Sequence, residues 1–348
     1  VDGLKPSQRK VLYACRKRKN TETKVSQLAG YVSTESAYHH GEQSLMSTII
    51  GLAQNYLGSN TYNLLEPIGQ FGTRLMGGKD AASPRYIFTK LSDHGTKLFH
   101  KDDDAVLKYL DDDGFSIEPE YYIPLLPLVL VNGAEGIGTG YSCSVPCFNP
   151  TDILNNMRRC INGDSMTPMT PWYPGFKGTV ENCEEGSFVT KGAYSIQTDT
   201  LTINELPIGK WTQDYKEFLD GMLDSGKISS YENHSTETDV LFVVKMDHPT
   251  LRKKHAKNEI WKEFKLTSNI HTRNMHLFNK DGNIKKYTNP LEIIDEFVGV
   301  RMKCYETRKK LILEGLASKQ LVLQNKVRFI NMINDESLTI FRKKKGVI

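Results

Sequence analysis

The stretch Ala81-Ala82-Ser83-Pro84-Arg85-Tyr86-Ile87-Phe88 follows a loop rich in glycine, with Gly69, Gly72, Gly77 and Gly78. In it a guanidinium stands beside a phenol. A tyrosine oxygen is a competent nucleophile when its proton is removed or shared. The neighbouring arginine stays charged and cannot be the base, but it can stabilise charge building on a phosphate. Arg85-Tyr86 in a flexible loop therefore points to a phosphotyrosyl intermediate with nucleic acid. The pair alone also fits a surface charge beside a packed ring, and its surroundings must decide.

At 348 residues the chain is too long for one compact core, so two or three domains are expected. Hydrophobic content of 39% with 25% charged residues is ordinary for a water-soluble fold. The net charge of +4 does not by itself indicate nucleic acid, but its distribution is uneven. Residues 1–24 carry Lys5, Arg9, Lys10, Arg16, Lys17, Arg18, Lys19 and Lys24 against only Asp2 and Glu22. That is either a basic arm that neutralises phosphates or a solvated charged face. Six cysteines without a CxxC pair fit a reducing, intracellular compartment. No stretch approaches a membrane span in length, and no membrane partner is expected. Val1 in place of a start methionine suggests a piece of a longer protein.

Taken in order, 5–17 reads as a helix, with Pro6 in its first turn and Val11, Leu12 and Cys15 forming an apolar stripe. A second helix is expected over 24–30 with Gly30 as its stop, and a third over 41–56 with Leu45, Ile49, Leu52, Ala53 and Tyr56 at helical spacing. Three short helices behind a basic leader suit a helix-turn-helix or winged-helix core. His39-His40 tempts one to place a metal, but adjacent side chains point apart and Glu42 alone completes no site. Residues 61–89 should hold strands and loops. Asp102-Asp103-Asp104 and Asp111-Asp112-Asp113 flank a helical stretch at 105–110 and read as solvated turns. Ile137 between two glycines is either an ordinary buried isoleucine or a side chain that nothing nearby covers. Residues 151–161 read as a capped helix, ended by the turn at Gly163-Asp164-Ser165. From 176 to about 289 the pattern turns to strands, with a helix at 211–223 and a basic cluster of Arg252, Lys253, Lys254, His255 and Lys257. From Pro290 onward Ile294, Val298, Met302, Tyr305, Ile312, Leu316, Leu323, Val327 and Ile330 recur at three- and four-residue steps. That is a long amphipathic helix of about 55 to 60 Å or more, and such a helix needs a partner along its stripe.

Several motifs lie in the order and approximate spacing of one family. They are Val1-Asp2-Gly3-Leu4-Lys5-Pro6, Tyr38-His39-His40-Gly41-Glu42, Gly69-Gln70-Phe71-Gly72-Thr73-Arg74, Gly77-Gly78-Lys79-Asp80, Ala82-Ser83-Pro84-Arg85-Tyr86 and Asn132-Gly133-Ala134-Glu135-Gly136-Ile137-Gly138-Thr139-Gly140. Together the chain resembles the breakage-reunion core of eukaryotic-type DNA topoisomerase II, with weaker likeness at Trp211-Thr212-Gln213 and Phe242-Val243-Val244-Lys245-Met246. The resemblance implies an α+β multidomain fold: a winged-helix domain over 1–150, a mixed α/β tower over 151–289, and over 290–348 the first arm of a coiled coil toward a dimer gate. It implies Tyr86 as nucleophile, Arg85 as stabiliser of the phosphoryl charge, and His40 as a positioning group. It implies DNA contacts at Lys5, Arg9, Lys10, His39, Arg74 and Lys79, and a wedge between base pairs at Ile137. Double-stranded DNA, a homodimer, and a place in the nucleus (or the compartment of a large DNA virus) follow from it. So do magnesium and ATP, held in the family mainly by domains absent from these residues, and the expectation that these residues alone bind and bend DNA but cleave poorly. The metal domain's Glu-Gly-Asp-Ser motif is not matched at 163–165, because Asn162 precedes the glycine and no Asp-x-Asp partner follows.

Two other classes compete. A non-catalytic helix-turn-helix protein explains the basic leader, but not why Arg85-Tyr86 and the Ile137 loop accompany it. A tyrosine recombinase or nicking enzyme would need a different spread of arginines and histidines, or a His-hydrophobic-His metal site, and neither is present.

Overall fold

Pro6 opens α1 (Pro6–Lys17), where its missing N–H costs nothing and its fixed φ suits the helix. Val11, Leu12 and Cys15 are buried as their spacing predicts. The computed structural model describes residues 1–184 and 186–338. A short strand β1 (Thr23–Lys24) leads into α2 (Val25–Glu35), and α3 (Glu42–Ala53) follows. The three helices pack on one another. Gly30 does not stop α2, contrary to expectation. An interior glycine costs a helix only about 1 kcal/mol, and burying Val25, Leu28, Ala29 and Val32 outweighs that. In α3 the chain leaves the helix at Gln54, whose side chain donates to the Phe71 carbonyl at 2.9 Å.

After a long irregular loop, β2 (Phe88–Thr89) returns to pair antiparallel with β1, Thr23 facing Thr89 and Lys24 facing Phe88. Next come α4 (Asp93–Lys97) and a 3-10 turn, Lys101–Ala105. The helix expected at 105–110 is absent: the turn gives way to a hairpin of β3 (Tyr109–Asp112) and β4 (Phe115–Pro119). Nor is the first aspartate triplet wholly solvated, because Asp103 is buried. A buried short helix, α5 (Leu128–Val131), feeds a second hairpin of β5 (Ala134–Gly138) and β6 (Tyr141–Val145). Then α6 (Pro150–Asn162) is capped by the Asn149 side chain and ended by Gly163 at φ 78, a left-handed conformation that glycine adopts freely.

The next region builds its own core. Its strands are β7 (Thr179–Glu184), β8 (Ser187–Lys191), β9 (Ala193–Gln197), β10 (Thr200–Glu205), β11 (Ser230–Asn233), β12 (Phe242–Lys245) and β13 (Thr267–His271), with α7 (Thr212–Asp224), α8 (His248–Ala256) and α9 (Ile260–Glu263) between them. One antiparallel sheet runs β11-β12-β10-β9 and a smaller one β13-β8-β7. Leu201, Ile203, Leu219, Phe242, Val244 and Phe264 fill the space beneath. The hairpin of β14 (Met275–Phe278) and β15 (Ile284–Tyr287) returns to the first core, where Met275 and Tyr287 are buried beside Ile153 of α6 and Ile294.

The last element is α10 (Pro290–Asn334), capped by Asn289 and about 68 Å long at about 1.5 Å per residue. Its first turns bury Ile293, Ile294, Phe297 and Val298. Farther on, Leu316, Leu323, Val327 and Ile330 are exposed on the stripe that the sequence marked. Of the arm expected over 290–348, residues 339–348 lie outside the described residues.

Candidate active site

The Tyr86 turn is held from below. The Tyr86 N–H donates to the Ser83 carbonyl at 2.9 Å, closing a tight turn. The N-terminus of α2 supplies two further bonds, Ser26 N–H to the Pro84 carbonyl and Val25 N–H to the Ile87 carbonyl. These use helix-terminal donors that the helix itself leaves free. Ile87 is buried and Phe88 pairs with Ile68 through two backbone bonds. Gly69 lies at φ 112, and a Cβ there would stand 3.0 Å from Ile87 Cγ2. The result is a fixed turn with an outward phenol. Tyr86 is 67% exposed, and its hydroxyl makes no hydrogen bond among the described residues. The Arg85 guanidinium lies over the Tyr86 ring, 4.9 Å from its centroid. Both groups of the sequence pair are therefore open to a ligand and side by side.

The other sequence-predicted residues divide. Ile137 sits near the tip of the β5–β6 hairpin, opposite Ser142, and is 95% exposed. Lys5 and Lys79 are exposed. His39 and His40 are exposed just before the N-terminus of α3, where unpaired N–H groups favour negative charge. His40 packs edge-on against Tyr38, and His39 lies 4.0 Å from Asp112 on the β3–β4 hairpin. Two members of the basic leader turn inward. Arg9 grips Asp2 at 2.7 and 3.0 Å and the Leu4 carbonyl at 3.0 Å, and Asp2 also accepts from the Leu4 and Tyr122 N–H groups. Lys10 pairs with Glu118 and donates to the Ser36 carbonyl. Arg74 departs furthest from expectation. It is buried and bound to Glu205 of β10 at 2.5 Å, so it does not face a DNA surface. A charge in that position is tolerated because its partner is equally buried.

Sequence reasoning also missed residues. Asp103 and Asp104 bind arginines: Arg301 and Arg308 on α10 hold the first, Arg16 of α1 the second. Trp211 covers the bare face of Gly77, and only the Gly77-Gly78 pair hinted at so close an approach. The magnesium that the resemblance implies finds no holder, for among the described residues no three His, Cys, Asp or Glu side chains gather to bind a metal ion. The residues present do not fit such a site.

Fold and site thus define a two-core α+β protein that presents an arginine-flanked tyrosine on a fixed turn and, on a separate hairpin, a bare isoleucine. The family model that describes the A-type subunit of DNA gyrase/topoisomerase IV matches residues 1–348, and the chain belongs to that family. It is 48% identical over its whole length to DNA topoisomerase 2 of Plasmodium falciparum, covering 25% of that protein. It is 48% identical over 99% of its length to human DNA topoisomerase 2-alpha, covering 23% of it. The chain therefore spans about a quarter of these relatives. A crystal structure of the Plasmodium falciparum topoisomerase II DNA-binding, cleavage and re-ligation domain superposes with a TM-score of 0.94 at 48% identity, over 99% of this chain and 48% of that one. The resemblance read from the motifs is borne out, and it extends over the whole chain.

Proposed function

We propose that this chain is the breakage-reunion core of a type II DNA topoisomerase, which opens a duplex through 5′-phosphotyrosyl links, passes a second duplex and reseals the first. The observation that carries this reading is the exposed Tyr86 phenol beside the Arg85 guanidinium on a turn fixed by α2. Tyr86 Oη attacks phosphorus, the new O–P bond forms, and the bond to the 3′ oxygen breaks with its electron pair leaving on that oxygen. The phenol loses its proton and the 3′ oxygen gains one. Arg85 stabilises the charge that gathers on the non-bridging oxygens. His40 assists positioning from the N-terminus of α3. Exposed Lys5, Lys79 and His39 contact the backbone phosphates, and Ile137 enters the stack. Arg9 and Lys10 shape the surface through their carboxylate partners. Two copies act on the two strands, joined toward a dimer gate by the arm of α10, while the basic cluster of the tower region meets the outer arms of the bent duplex. Magnesium and ATP serve the complete enzyme, and the nucleus (or the compartment of a large DNA virus) is its place of action.

The test is a covalent-adduct assay on the full-length protein with magnesium and end-labelled duplex, quenched by denaturant. Adduct at the 5′ side that vanishes in Tyr86→Phe is expected. Adduct that persists in the variant moves the chemistry to another residue. Tight binding without adduct in either favours a plain DNA-binding protein.

A further inference from the structure

The loop that leads to Tyr86 has no helix or strand of its own between Gly69 and Ser83, so contacts alone give it shape. Some are internal. Asp80 accepts from the Thr73 N–H and hydroxyl, the Gly78 N–H donates to the Thr73 carbonyl, and the Ala82 N–H donates to the Gln70 carbonyl. The first core adds Gln54, whose side chain donates to the Phe71 carbonyl. Gln54 and Tyr56 also close on Gly78, and further contacts come from the second core, on the Arg74–Gly77 side of the loop. The first N–H groups of α7, at Thr212 and Gln213, donate to the carbonyls of Arg74 and Leu75 at 3.4 and 2.9 Å. Glu205 of β10 binds the buried Arg74 guanidinium. The Trp211 ring lies where a side chain on Gly77 would be, its Nε1 nearest to that Cβ position, and meets Tyr56 edge-on at 5.8 Å.

We infer that Trp211 and the Arg74–Glu205 pair are positioning residues: they form a strut through which the second core sets the place of the Tyr86 turn. The inference rests on the reading of Tyr86 as nucleophile. A helix terminus, an ion pair and an indole grip one flank of a glycine loop. The Gln70–Ala82 bond ties that flank to the strand leaving toward Tyr86, twelve residues beyond Arg74. A shift of the second core relative to the first would pull the loop against the hold of Gln54 and of α2. The second core also carries the basic cluster of α8, with Arg252 and Lys253 exposed. Duplex DNA engaging that face would act on the tyrosine turn through the strut, so that cleavage competence depends on DNA held along both cores.

The experiment uses the full-length protein, magnesium and a labelled duplex, and reads three quantities for Trp211→Ala, Trp211→Phe and Glu205→Gln: adduct yield, duplex affinity and melting temperature. Tyr86→Phe and wild type run alongside. A positioning role predicts adduct formation at least tenfold lower in Trp211→Ala and Glu205→Gln, with duplex affinity within threefold of wild type, and recovery of most adduct in Trp211→Phe. Undiminished adduct in Trp211→Ala and Glu205→Gln overturns the inference. So does a parallel loss of adduct, affinity and melting temperature, which marks a structural role only, and in that case Trp211→Phe would follow melting temperature and not adduct. Adduct that persists in Tyr86→Phe, or none in wild type, sinks the nucleophile reading instead and the strut with it.

Discussion

Asp103 and Arg301 meet at 2.7 Å across 198 residues of chain, both almost wholly buried. Arg308 adds a second bond to the same carboxylate at 3.0 Å, and Arg301 also donates to the Ile123 carbonyl. Tyr305 lies under the Arg301 guanidinium, 4.1 Å from ring centroid to Cζ. Asp104, next in sequence, holds Arg16 of α1 through two bonds of 2.7 and 2.9 Å. One 3-10 turn thus fastens the long arm α10 to the helix that opens the first core.

Removing this carboxylate strands two arginines at the joint. Breaking a buried pair by deleting one partner costs about 3–5 kcal/mol. Asp103→Asn is expected to lower unfolding stability by that amount in urea denaturation. Asp102→Asn, one residue earlier on the exposed side of the turn, should stay within about 0.5 kcal/mol of wild type. Equal effects from the two would refute the joint.

Acid should weaken the root of α10. Burial pushes the Glu296 carboxyl upward, but bonds from the Lys280 N–H, the Lys285 ammonium and the Tyr287 hydroxyl outweigh it and hold the group below the usual glutamate range. A carboxyl depressed in the folded state stabilises the fold above its unfolded pKa, and that contribution is lost as pH falls through the folded value. Melting temperature should therefore drop below the ordinary glutamate range. In Glu296→Gln that part of the drop should be missing, and the variant should be less stable than wild type at neutral pH. Identical pH profiles would count against the assignment.

Thiol chemistry separates surface from core. Burial pushes Cys15 up to about 12 and Cys147 up to about 11. Cys183 is exposed. Because the thiolate is the reactive form, alkylation at pH 8 followed by peptide mass spectrometry should find Cys183 modified first. Cys15 and Cys147 should react only on unfolding. Early labelling of Cys15 would mean that the α1 core opens readily.

The periodic elements were legible because their spacing is local. The stripe of α1, the capped helix over 151–161 with the turn after it, and the run of α10 all stand in consecutive residues. Tyr86 and Ile137 were singled out through the motifs around them, whose family resemblance implied an open nucleophile and a bare wedge; their own residues left a packed ring and a buried isoleucine equally open. What the sequence hid is long-range pairing. Nothing near Arg74 announces Glu205, and nothing near Asp103 announces Arg301, so one was read as a DNA contact and the other as a solvated turn. Gly30 misled because a helix-breaking propensity of about 1 kcal/mol is smaller than the burial around it.

The bare isoleucine yields the last prediction. The β5–β6 hairpin is ruled by a ladder from Ala134–Val145 to Gly138–Tyr141. Its base is pinned where the Asn132 side chain exchanges two bonds with the Tyr62 backbone, and where the Ser144 N–H donates to the Asn274 carbonyl. Ile137 contributes almost nothing to this frame, since it is 95% exposed. Ile137→Ala should leave unfolding stability within about 0.5 kcal/mol. If the side chain enters the base stack, its burial there is worth about 2 kcal/mol, or roughly 30-fold in affinity for duplex. The bend read by energy transfer between duplex ends should shrink along with that affinity. A variant that binds and bends duplex like wild type would leave Ile137 outside the stack. A variant that melts early would show that the hairpin needs the side chain for its own fold.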